Sequence, residues 1–127
     1  MPSKANVLII DDEEDITKLI KTALEEYGFS VETFNDPLLA LNHFKSNPRK
    51  FSVIVSDIRM PGMSGIELVA HIKKSERKVN AILMTAFDVD SIKPELEKYG
   101  CEIAEIFQKP LSIKKLCERI TTQLDNE

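Results

Sequence analysis

Three runs are the most apolar of the chain, a solid one at residues 7–10, one at 51–57 too apolar to face water on either side, and a mostly apolar one at 79–85. That pattern predicts three strands buried inside a parallel sheet. Two further runs, 31–34 and 103–108, alternate apolar with polar residues and predict strands at the sheet's edges. Between the strands the spacing turns helical. Ile16, Leu19, Ile20, Ala23, Leu24 and Tyr27 predict a first helix that begins among acidic residues and ends at Gly28. Asp36-Pro37 reads as the cap and first residue of a second, with Leu38, Leu41 and Phe44 on one face and Asn47-Pro48 as its stop. Ser64-Gly-Ile-Glu67 fits a capping box opening a third, whose inner face includes Ile66, Val69, Ala70 and Ile72. Val89, Ile92, Leu96 and Tyr99 predict a fourth, which Pro94 limits to a short or late-starting helix. Ser112 caps a fifth through Ile113, Leu116, Cys117, Ile120 and Leu124.

Five strands alternating with five helices predict an α/β fold, because right-handed crossovers cover both faces of a parallel sheet. With the two alternating strands at the edges and the three apolar ones inside, the order 2-1-3-4-5 follows, that of a flavodoxin-like, doubly wound (βα)5 sheet. A length of 127 residues suits one domain spanning 1–127. No apolar run approaches the ~20 residues of a membrane span, and the N-terminal residues do not resemble a signal peptide, so a cytoplasmic location is the expectation. The net charge of −4 offers no footprint for direct contact with nucleic acid. Cys101 and Cys117 have no CxxC spacing and read as idle or buried thiols, and the lone His43 and His71 as surface or boundary residues.

The chemistry collects at the strand ends. Open parallel sheets bind ligands beyond the carboxyl ends of their strands, and the third run ends in Asp57 before the Pro61-Gly62 turn. In the predicted order the neighbouring ends contribute Asp11 and Asp12, Thr85, and Lys109. Each has an ordinary explanation taken singly: helix-start acids, a strand hydroxyl, a solvated charge. Together they do not. Three carboxylates a few ångströms apart repel by roughly 4 kcal/mol per pair at an effective dielectric of about 20, which calls for a cation. Mg²⁺, which takes hard oxygen ligands octahedrally, matches Asp12, Asp57 and a backbone carbonyl near Arg59. A metal there would let Asp57 act as a nucleophile toward phosphorus, with Lys109 and the Thr85 hydroxyl holding the remaining phosphoryl oxygens.

These residues carry a resemblance. The acidic pair Asp11-Asp12, the block Asp57-x-Arg-Met-Pro-Gly-Met-x-Gly65, Thr85-Ala86 and Lys109-Pro110 resemble the receiver domain of two-component response regulators, of the chemotaxis-receiver type, along essentially the whole chain. The resemblance implies that Asp57 accepts a phosphoryl group from a histidine kinase or phosphotransfer protein, and that Mg²⁺, with Mn²⁺ as a substitute, sits on Asp11, Asp12, Asp57 and the Arg59 carbonyl. It further implies a cis Lys109-Pro110 bond and a switch through Thr85 and residue 106 that alters the face of the fourth helix, fifth strand and fifth helix. A downstream output domain or protein would read that face. The domain would be a monomer or a weak phosphorylation-dependent dimer, with no activity beyond Mg²⁺-dependent self-phosphorylation and self-dephosphorylation.

Two departures qualify the match. Family members usually carry Tyr or Phe three residues before the lysine, where this chain has Ile106, and Phe107 should face the opposite way. The segment 100–109 also reads about two residues longer than the family pattern. A competing reading keeps the receiver fold as a phosphorylation-independent interaction module. A flavin enzyme fits poorly, since the residues after the first strand are acidic and would repel a flavin phosphate. A haloacid-dehalogenase-type phosphatase would need a DxDxT pattern that is missing.

Overall fold

The computed structural model describes residues 5–100, 102–103, 105–109 and 112–125. Five strands, β1 (Asn6–Ile10), β2 (Ser30–Phe34), β3 (Val53–Asp57), β4 (Asn80–Thr85) and β5 (Glu105–Gln108), alternate with five helices, α1 (Glu14–Glu26), α2 (Pro37–Ser46), α3 (Gly65–Ser75), α4 (Val89–Tyr99) and α5 (Ile113–Asp125). All strand pairs are parallel, in the order β2-β1-β3-β4-β5. The two alternating strands thus lie at the edges, as their pattern requires.

Alternation along the buried strands sorts the core. Val7, Ile9, Val53, Val55, Ile82 and Met84 face one way, against Ile20 and Leu24 of α1 and Leu116 and Ile120 of α5. Leu8, Ile10 and Ile54 face the other, against Ala40, Leu41 and Phe44 of α2 and Leu68 and Ile72 of α3. A third cluster joins Ile58, Ile66, Val69, Ala81, Leu83 and Ile92, with Leu96 and Ile106 packed against it. Phe107 belongs to the first cluster, on the opposite face from Ile106. No described helix is long and apolar enough to cross a membrane.

Helix ends follow the expected chemistry. Asp36 Oδ1 accepts from the Leu38 and Leu39 amides at 2.8 and 3.2 Å, and Ser64 Oγ accepts from the Glu67 amide at 3.1 Å. Gly28 (φ 99°) and Gly100 (φ 61°) take the left-handed conformation that ends α1 and α4.

Five expectations need correction. Leu38 is 55% exposed rather than inward, because the buried stripe of α2 is set by Pro37, Ala40, Leu41 and Phe44, the i, i+3, i+4, i+7 pattern. Leu19 is likewise 55% exposed; it lies about 100° round the helix from the fully buried Ile20. Tyr27, at the C-cap of α1, is also exposed. Pro94 neither shortens nor delays α4. It sits inside the helix, where it removes one bond, to the Asp90 carbonyl, while Asp88 caps the start and Ile92 anchors the inner face. Finally, β5 starts at Glu105 rather than 103, its four residues filling the register against Ile82 to Thr85. Cys101 and Pro110, and with Pro110 the cis bond expected at Lys109-Pro110, lie outside the described residues.

Core and rim side chains of α2 should therefore respond differently to truncation. Phe44→Ala should cost about 3–5 kcal/mol in urea denaturation, and Leu38→Ala less than about 0.5 kcal/mol. A large loss at Leu38 would contradict the packing of α2.

Candidate functional site

The parallel register carries β1, β3, β4 and β5 to one end of the sheet, where Asp11, Asp57, Thr85 and Lys109 emerge side by side. Asp11 is fully buried, Thr85 fully buried and Asp57 6% exposed. Lys109 Nζ lies 3.2 Å from Asp11 Oδ2 and 3.4 Å from Asp57 Oδ2, with Glu13 Oε1 at 3.9 Å. An ammonium 98 positions along the chain from Asp11 thus joins it to Asp57. Asp12 is exposed, yet Asp11, Asp12 and Asp57 each offer an oxygen, and these lie within 4.8 Å of one another. Three carboxylates against one ammonium leave excess negative charge on hard oxygen donors, which fits a divalent cation such as Mg²⁺.

Backbone contacts hold this rim in place. The Asp11 amide donates to the Phe34 carbonyl at 3.1 Å, and Asp11 Oδ1 accepts from the Glu13 amide at 2.9 Å. Asn35, overlooked in the sequence, donates to the Asp11 carbonyl at 2.8 Å and to Thr17 Oγ1 at 3.1 Å, tying β1 to α1. Its signal was its position directly after β2, where an amide faces the neighbouring strand end. Buried Ser56 donates to the Asp57 carbonyl at 2.9 Å. Gly65 opens α3 against that same carbonyl, and a Cβ built there would overlap the Asp57 oxygen. On the other side the Ile58 amide donates to the Met84 carbonyl at 2.9 Å, and the Lys109 amide to the Thr85 carbonyl at 2.6 Å.

The remaining predicted residues fall around the mouth or behind it. Thr85 Oγ1 accepts from the Phe87 amide at 2.9 Å, so its hydroxyl is engaged with the following loop. Arg59 is exposed and its guanidinium carbon lies 4.7 Å from the centre of the Phe87 ring. Ile106 packs in the third core cluster, beside Ile92 and Leu96 of α4.

Sequence comparison agrees with this geometry. A family model described as the response regulator receiver domain matches residues 7–121. The chain belongs to that family. The receiver domain is 31% identical to the transcriptional regulatory protein CpxR homolog of Haemophilus influenzae, over 91% of this chain and 48% of that protein. It also superimposes on a CheY-like response regulator receiver domain protein from Methanospirillum hungatei with TM-score 0.86 and 27% identity, covering 98% and 96% of the two chains. For the response regulator TrrA from Thermotoga maritima, in complex with Mg²⁺-BeF, the TM-score is 0.80 and the identity 28%, over 94% and 98%. The receiver domain spans about half the length of several curated relatives that it matches.

Electrostatics of the receiver site reflect crowding. Burial, and then the charge of Asp11, push the Asp57 carboxyl up to about 6, while Lys109 pulls the other way. Asp11 is also raised, by burial, against the Glu13 amide and Lys109. Burial acts to lower Lys109, but Asp57 and Asp11 outweigh it, and its ammonium is held above the ordinary value.

A consequence for stability follows. Between the unfolded carboxylate value and about 6, the native state keeps a proton on Asp57 that the unfolded chain has lost, so the metal-free domain should lose stability as pH rises through that window. In chelator at pH 7, Asp57→Asn should be more stable than the wild type by roughly 1–3 kcal/mol, with a flatter pH profile between about 4 and 6. Denaturant melts across that range check this; an Asn variant weaker than wild type at pH 7 would contradict it.

Proposed function

We propose that this receiver domain, acting as one unit over residues 1–127, is a phosphorylatable switch that takes its phosphoryl group from the phosphohistidine of a sensor kinase or phosphotransfer protein. The observation that carries this reading is the Lys109 ammonium lying within 3.4 Å of both Asp11 and Asp57, with Asp12 beside them. A carboxylate oxygen of Asp57 attacks phosphorus, the phosphorus–nitrogen bond breaks, and the imidazole leaves with the electron pair. The product is an acyl phosphate on Asp57. Attack by water on that phosphorus returns the carboxylate and inorganic phosphate. Asp11, Asp12, Asp57 and the Arg59 carbonyl would hold Mg²⁺, or Mn²⁺ in its place. The ion supplies neutralisation of the phosphoryl oxygens.

Lys109 is already aimed at the acceptor and holds a second phosphoryl oxygen as a point charge. The new charge of about −1.5 to −2 at Asp57 draws the Thr85 hydroxyl away from the Phe87 amide, the bond it makes in the free state. Movement there frees Ile106 to repack against Ile92 and Leu96, and the face of α4, β5 and α5 changes. A downstream output domain or protein reads that face in a cytoplasmic setting, on a monomer or a weak phosphorylation-dependent dimer. The names of matched relatives as transcriptional regulatory proteins support an output in gene control, with DNA contact made outside this acidic domain.

One observation favours a second reading, a phosphorylation-independent interaction module: Ile106 supplies no ring to swing inward. The two readings part on covalent chemistry. Intact-mass measurement after a small acyl phosphate with Mg²⁺ should show one phosphoryl adduct on wild type, and none on Asp57→Asn or in chelator. Absence of an adduct with every donor tried would favour the second reading. Magnesium at about 100 times its dissociation constant should also add about 2.7 kcal/mol of stability, and much less to Asp57→Asn.

A further inference from the structure

At the end of the sheet opposite Asp57, cations gather on one side. There the turn before β3 and the end of α3 bring together Arg49, Lys50, Lys73, Lys74, Arg77 and Lys78, six of the chain's 17 lysines and arginines. The pairing of Val53 with Asn80, and the Asn80 amide bonded to the Ser52 carbonyl at 2.9 Å, set these segments side by side. Lys50 is held by Glu32. Among the described residues the other five cations have no carboxylate within 4.0 Å, in a chain whose net charge is −4. Lys73 and Lys74 are accounted for by the α3 C-terminus, where cations complement the helix dipole. Arg49, Arg77 and Lys78 are not.

Two grooves cut this surface. One, of about 390 Å³, runs between α3 and α4 over Ala70 and Tyr99, and the other, of about 500 Å³, lies over Phe51 and Val79. They adjoin at the turn 76–78. Each therefore combines unpaired cations with an apolar floor and one acid, Glu102 in the first and Glu76 in the second.

We propose that this basic underside is a docking surface for an acidic polypeptide segment of a partner protein, carrying at least one apolar side chain among its carboxylates. Lysines outnumber arginines four to two, which suits carboxylates bound as point charges more than bidentate phosphate recognition. The apolar floors accept a side chain that a phosphodiester backbone lacks. Glu76 and Glu102 would repel a polyanion, whereas a peptide offers backbone N–H groups that can donate to them. A flat anionic membrane could not follow two concave grooves. The surface stands apart from the phosphoryl chemistry, so its test does not depend on that reading.

Fluorescence anisotropy of a short labelled Glu-rich peptide containing one leucine tests the surface. Binding should weaken with salt, fall roughly tenfold in Lys73→Ala/Lys74→Ala/Arg77→Ala, and stay unchanged in Asp57→Asn and in Lys18→Ala/Lys21→Ala, whose cations sit on α1. The leucine-free peptide should bind more weakly. Equal loss in the α1 variant, or no binding, would overturn the proposal. So would tighter binding of a single-stranded oligonucleotide of matched charge or of phosphatidylserine vesicles, or self-association in sedimentation that the triple variant abolishes. Arg49→Ala/Lys78→Ala gives an independent pair on the second groove, and matched thermal melts keep folding separate from binding.

Discussion

A single ammonium between two buried carboxylates is the interaction on which the molecule's functional end depends. Lys109 reaches Asp11 and Asp57 from the end of another strand, and without it two acids would be buried together with no other cation among the described residues within 4.0 Å. One positive charge does not balance the cluster: burial, and after it the charge of Asp11, push the Asp57 carboxyl up to about 6 despite Lys109. The site is thus short of neutral, a condition that favours a divalent cation.

That arrangement is a product of strand parity. Side chains alternate along β1, β3 and β4, so the register that buries Val7, Ile9, Val53 and Val55 against α1 and α5 also decides which residue ends each strand. A slip of one residue would turn the core outward and scatter the acids. Close fits reinforce the register: Gly65 allows α3 to start against the Asp57 carbonyl, and Asn35 pins the end of β1 to α1.

Most of this could be read in the sequence, for identifiable reasons. Solid apolar runs marked β1, β3 and β4 as central and alternating runs marked β2 and β5 as edges, and order then brought Asp11, Asp57, Thr85 and Lys109 to one rim. Position within a helix was harder. The apolar count of α2 pointed to Leu38, but the buried stripe ran through Pro37 and Ala40, residues whose small apolar surfaces carry little weight in a pattern search. Pro94 was read through propensity alone, whereas a cap at Asp88 and packing at Ile92 outweigh one missing bond. Asn35 and the Thr85–Phe87 bond were hidden because side-chain hydrogen bonds depend on the spacing between elements, and periodicity reports only faces.

The amide of Lys109 and the carbonyl of Thr85 are bonded to each other across β4 and β5. The cation and the hydroxyl are therefore tied to one strand pair, while Asn35 ties Asp11 to α1. Ammonium and hydroxyl thus share one backbone link, and through the bond between Thr85 and the Phe87 amide that link continues into the loop before α4.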